Sequence, residues 1–204
     1  MIYIGDLSRA DAAVLADFAS KATVGILEFG VGASTQIFGS YASVKVVSVD
    51  SSKEWIRRTI NNFALLGIPD TIEYHDFFQF LKNKGVFKTI PPVYDLIFND
   101  GDPFYRLQFA QLAWGLLAEG GNLLFHDTRK LEHVKDVARF FSENARTIGN
   151  IQTNVADSNI TVIRKCAALP YEDWNVAEGR QQWEFGPLTT EIPQNAREIL
   201  LKRS

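Results

Sequence analysis

Residues 23–35 read Thr23-Val24-Gly25-Ile26-Leu27-Glu28-Phe29-Gly30-Val31-Gly32-Ala33-Ser34-Thr35. An apolar run ends at an acid, passes through a glycine turn and opens into a segment of helical period. That order predicts a strand from Thr23 to Phe29 followed by a helix from Thr35 to Ala42. Gly30 and Gly32 would let backbone pass close to a ligand, and the N-terminus of the helix offers unpaired N–H groups. Taken alone, the G-x-G pattern equally describes a tight strand-to-helix turn that binds nothing.

The same alternation repeats on both sides of this stretch. Further strands are predicted at Lys45 to Val49, Thr71 to Tyr74, Tyr94 to Asn99 and Asn122 to Phe125. Helices are predicted at Ser8 to Lys21, Ser51 to Leu66, Phe77 to Lys84, Pro103 to Ala118 and His133 to Asn144. Short apolar strands alternating with helices imply βαβ units and a parallel sheet. Two β-rich stretches, Ile148 to Val155 and Ile160 to Lys165, flank the turn-rich Ala156-Asp157-Ser158-Asn159 and read as a hairpin. The expected fold is therefore α/β, a Rossmann-like doubly wound and mostly parallel sheet closed by a C-terminal antiparallel strand pair. One domain over 1–204 is expected, with its core at 23–165. The tail at 167–204, broken by Pro170, Pro187 and Pro193 and carrying Trp174 and Trp183, reads as an irregular wrap.

Composition removes several classes of function. The chain of 204 residues has 46% hydrophobic and 22% charged residues, as globular proteins do, and a formal net charge of -3. It has no Lys/Arg run beyond a pair, so the footprint of a general nucleic-acid binder is missing. Cys166 is the single cysteine, which excludes an intrachain disulfide framework and fits a reducing compartment. The beginning of the sequence has neither the basic nor the long apolar stretch of a secretory signal, and no run approaches the roughly 20 apolar residues of a membrane helix. A cytoplasmic protein with a small-molecule substrate is the expectation, with a homodimer left open.

In open α/β sheets, ligands bind beyond the carboxyl ends of the strands, so polar residues there carry the functional information. The second strand ends at Asp50, followed by Ser51. A carboxylate in that place accepts hydrogen bonds from a ribose diol, and it reads equally as a cap for the next helix. The third strand ends in His75-Asp76, where Asp76 could accept from an adenine amino group while Trp55 or Phe77 covers the ring. The fourth ends in Asn99-Asp100-Gly101-Asp102 and the fifth in His126-Asp127-Thr128. His126 and Asp127 are candidates for proton transfer, and Asp100 with Asp127 could supply oxygen ligands to Mg²⁺ or another divalent cation. Arg106, Arg129 and Lys130 read either as contacts for an anionic substrate group or as solvated surface.

Five segments, ILEFGVGAST, VVSVD, YHDF, YDLIFNDGD and GGNLLFHDT, resemble in order and spacing the successive motifs of class I S-adenosylmethionine-dependent methyltransferases. Within that class the chain is most similar to the catechol O-methyltransferase-like group and its bacterial relatives. The resemblance spans Thr23 to Lys165. It implies that Glu28, Gly30, Gly32 and Ser34 border the methionine part of S-adenosylmethionine, that Asp50 and Ser51 hold the ribose, and that His75 and Asp76 lie near adenine. It also places Asp100, Asp127 and Thr128 where the catechol-type enzymes hold a divalent cation, with threonine as a poorer third ligand. Pro103 stands where those enzymes carry a lysine base, which leaves Asp102 or His126, with Asp100 and Asp127 beside them, for catalysis.

The implied activity is methyl transfer, to oxygen by preference, onto an unidentified small molecule. Two alternatives stand beside it: a non-catalytic partner protein that binds the same cofactor, and an NAD-linked oxidoreductase. Thr35 occupies the place of the third, packing glycine of the dinucleotide fingerprint, and Glu28 would repel a pyrophosphate but attract a sulfonium.

Overall fold

Ser8 opens the first helix with a reciprocal cap: its hydroxyl accepts the Asp11 N–H at 3.0 Å, and the Asp11 carboxylate accepts the Ser8 N–H at 3.0 Å. The computed structural model describes residues 5, 7–82 and 94–168. In chain order the elements are α1 (Arg9–Lys21), β1 (Ile26–Phe29), α2 (Ala33–Tyr41), β2 (Val46–Asp50), α3 (Lys53–Leu66), β3 (Glu73–Asp76) and α4 (Phe77–Lys82). They continue as β4 (Tyr94–Asn99), α5 (Arg106–Trp114), β5 (Leu117–Phe125), α6 (Leu131–Asn144), β6 (Ile148–Gln152) and β7 (Thr161–Lys165).

The strands form one sheet in the order β3-β2-β1-β4-β5-β7-β6. The first five run parallel, while β7 lies antiparallel to both β5 and β6. This is the expected Rossmann-like sheet, with its switch of direction between β1 and β4. β1 and β2 are buried along their whole length, as strands covered on both faces must be. Alternate residues of β1 feed two cores. Leu27 and Phe29 join Ile97, Phe109, Phe125 and Phe140 on one face, and Ile26 joins Leu15, Phe38, Leu96 and Leu124 on the other. Phe29 is held between the rings of Phe77 and Phe109, at centroid distances of 4.7 and 4.8 Å. Phe77 is thus a fully buried core residue, and the expectation that it covers a ligand ring is corrected.

Three element boundaries differ from expectation for visible reasons. β1 begins at Ile26 because the N–H groups of Thr23, Val24 and Gly25 are drawn off by the Asp95 carboxylate at 2.6, 3.2 and 3.1 Å. β3 begins at Glu73, after an Asp70 turn that takes the Ile72 N–H at 3.2 Å, so His75 and Asp76 are strand residues. The helix expected over Pro103 to Ala118 is shorter. Pro103 lies in the turn before α5, and β5 already starts at Leu117, paired with Tyr94 across a register shift. The hairpin is formed by β6 and β7, with Ile151 opposite Ile163. The expected tail beyond 168 lies outside the described residues. Among those described, no helix is long and apolar enough to cross a membrane.

Candidate active site

A cavity of about 660 Å³ opens where β1, β2, β4 and β5 end. It gathers nine of the residues singled out in the sequence: Gly30, Gly32, Ser34, Asp50, Ser51, Asp100, Asp102, His126 and Asp127. Trp55 also lines it and is 39% exposed, so its ring is available to a ligand. The remaining candidates lie elsewhere. His75 Nε2 meets Glu73 at 2.6 Å, and Asp76 caps α4 by accepting the Phe78 and Gln79 N–H groups at 3.0 and 3.1 Å. Thr128 is buried in its loop, where its hydroxyl accepts from Thr161 at 2.8 Å and donates to the Asn159 carbonyl at 3.2 Å.

The glycine turn is shaped first by the neighbouring strand end. Gly30 has a φ of +99°, and a Cβ on it would come within 2.6 Å of the Asp100 carbonyl. A Cβ on Gly101 would in turn strike the Phe29 ring at 2.4 Å. Only glycines let the turns after β1 and β4 interlock this closely.

Glu28 acts from behind this turn. Its fully buried carboxylate accepts the hydroxyls of Ser34, Thr35 (2.7 Å) and Ser48 (2.6 Å), while Thr35 Oγ1 accepts the Gly32 N–H at 2.9 Å. Burial nevertheless outweighs these donors and pushes Glu28 up to about 7 from its ordinary 4.5. Asp50 ties the turn to the second strand end by accepting the Val31 N–H at 2.7 Å and the Ser52 N–H at 2.6 Å. Ser52 itself caps α3, so the capping role that Asp50 might have filled belongs to its neighbour.

The other wall is a buried charge cluster. His126, 4% exposed, sets Nδ1 at 2.9 Å from Asp100 and Nε2 at 3.4 Å from Asp11, with Asp127 at 3.9 Å from Nδ1. Burial alone would lower its pKa, but the Asp100 and Asp11 carboxylates prevail and hold it up to about 9. Asp11 is correspondingly held far below the usual carboxylate range, its own burial overcome by His126, Ser8 and Asn159. Asp127, at φ 58°, is kept low by Lys130 and His126 against its burial.

Arg106 closes the cluster. It donates to the Gly101 carbonyl at 2.8 Å, the His126 carbonyl at 3.0 Å and Asp100 Oδ1 at 2.8 Å. At 4% exposure it is neither a surface residue nor an anchor for a substrate anion. Lys130 is paired with Asp127, and Arg129 donates to the Asp157 carbonyl at 3.1 Å.

No protein-family model and no curated protein sequence matches the chain. Solved structures do. An O-methyltransferase from Bacillus cereus in complex with S-adenosylhomocysteine (SAH) aligns at a TM-score of 0.62 and 18% identity, covering 78% of this chain and 83% of that one. A SAH-bound methyltransferase from Podospora anserina gives 0.60 at 18%, over 78% and 80%. The Streptomyces achromogenes O-methyltransferase TomG, solved with S-adenosylmethionine, gives 0.60 at 16%, over 79% and 82%. The chain has the class I methyltransferase fold. In this methyltransferase fold the cavity falls at the switch point of the sheet, where ligands of open α/β sheets bind.

Sequence reasoning missed Asp11 and mistook Arg106. The Ser8-Asp11 spacing discloses a helix cap, but nothing local shows that the same carboxylate faces a histidine at the end of the fifth strand.

Proposed function

We propose that the chain binds S-adenosylmethionine in this cavity and transfers its methyl group to an oxygen of a small molecule. The supporting observation is the lining itself. Asp50, Asp100, Asp102 and Asp127 surround a space of ligand size, a set of acceptors that suits a ribose diol and a cationic sulfonium and opposes a pyrophosphate. The bound group would supply an electrophilic methyl.

The chain's own residues then have separable tasks. Asp50 and Ser51 hold the ribose hydroxyls, Trp55 covers the adenine face, and the turn from Gly30 to Ser34 seats the methionine part. Glu28 positions that turn without lining the cavity. His126 lines the cavity from its buried place beside Asp100 and favours an acceptor oxygen that has lost its proton. Asp102 receives that proton. Its carboxylate lines the cavity, with Oδ1 accepting the Phe104 N–H at 3.0 Å, and it takes the part that a lysine at the position of Pro103 would have played. Alignment of donor and acceptor supplies most of the remaining acceleration, as in other well-oriented reactions.

The test is transfer of a labelled methyl group to a panel of hydroxylated small molecules. Asp102→Asn should lower turnover about 10²- to 10⁴-fold while SAH binding stays intact. Pro103 in the place of a lysine base also suits a protein that binds the cofactor without turnover. Tight SAH binding with no methylated product from any acceptor would favour that second reading.

A further inference from the structure

The resemblance implies a divalent cation among Asp100, Asp127 and Thr128, yet the donor set found here does not fit one. Thr128 spends its hydroxyl on Thr161 and Asn159. Asp100 Oδ1 is taken by Arg106 at 2.8 Å and by His126 at 2.9 Å, and Asp127 Oδ2 by Lys130. The ligand-capable atoms of Asp100, His126 and Asp127 do lie within 4.8 Å of one another, which is close enough for an ion. Each ring nitrogen of His126, however, faces a carboxylate, Asp100 on one side and Asp11 on the other. Charge leads to the same conclusion. Asp100 is paired with Arg106 and Asp127 with Lys130, so each of the two carboxylates that would hold a hard cation already has a cation of the chain's own.

We propose that the positive charge a divalent cation would bring to this strand-end site is supplied by the chain's own Arg106, held on Asp100, and Lys130, held on Asp127, and that the site takes up no metal. For its chemical purpose this rests on the methyltransferase reading, but the charge arrangement can be tested without it. Because both groups are covalently part of the chain, a chelator cannot remove them and added Mg²⁺ has nothing to complete.

The experiment is a titration of Mn²⁺ into the intact chain, wild type and Asp127→Asn, followed by electron paramagnetic resonance with and without SAH. Asparagine tolerates the left-handed backbone of position 127, so this variant should fold. Wild type is expected to bind Mn²⁺ no tighter than about 1 mM, or at surface sites to which Asp127→Asn is indifferent. Tighter binding that Asp127→Asn weakens about tenfold or more would overturn the proposal. Absence of SAH binding would defeat the functional reading alone, because the metal titration is read independently of it.

Discussion

Glu28 shows how one side chain can serve a site it does not line. Three hydroxyl donors favour its anion and complete burial favours the neutral acid, with burial prevailing. Because its folded pKa of about 7 lies above the ordinary 4.5, Glu28 contributes stability that is fully present below pH 4.5 and is lost as pH rises through 7. The whole effect is about 3 kcal/mol at most, at about 1.4 kcal/mol per unit. Glu28→Gln should remove it: urea unfolding at pH 5 and pH 8 is expected to show wild type losing stability relative to the variant. Parallel pH dependences for the two proteins would mean that the carboxylate is ionised in the folded state. The acid was legible in the sequence as part of the strand end. Its three hydroxyl partners were not, because Ser48 comes from the next strand and only the parallel register with Glu28 brings it near.

At the scale of elements, the cavity exists because two strand ends interlock. The predicted strands and helices recur in the fold, since short apolar runs and glycine turns are local signals. What failed was local sequence competing with tertiary pairing. Ala118 to Gly121 belongs to β5 because Tyr94 pairs with Leu117, and the first residues of the expected β1 are claimed by Asp95. Asp11 escaped notice for the same reason, since α1 reaches His126 only after the sheet has formed. The interlock itself makes a prediction: Gly30→Ala must relieve both the positive φ and the 2.6 Å approach to Asp100. Strain of this kind costs about 1–3 kcal/mol, so the variant should unfold at lower urea concentration and lose SAH affinity with it. A variant within about 0.5 kcal/mol of wild type would show that the two turns move apart freely.

The whole molecule brings together a sheet with the class I methyltransferase order, an acidic cavity at its switch point and a buried set of ion pairs behind it. Nine of the sequence candidates meet in that cavity because the fold itself aligns strand ends. Of those that do not meet there, His75 and Asp76 are spent on Glu73 and the start of α4, close by in sequence, while Glu28 and Thr128 are spent in part on Ser48, Asn159 and Thr161, which only the fold brings near. The cavity is expected to hold S-adenosylmethionine through Asp50, which calorimetric titration of SAH and of NAD into wild type and Asp50→Ala would test. Wild type should bind SAH with micromolar affinity, about -8 kcal/mol, and should not bind NAD. Loss of hydrogen bonds to a charged acceptor, about 1.5–3 kcal/mol, should weaken SAH about tenfold to a hundredfold in the variant. Binding of NAD in place of SAH, or SAH binding that Asp50→Ala leaves unchanged, would contradict the account.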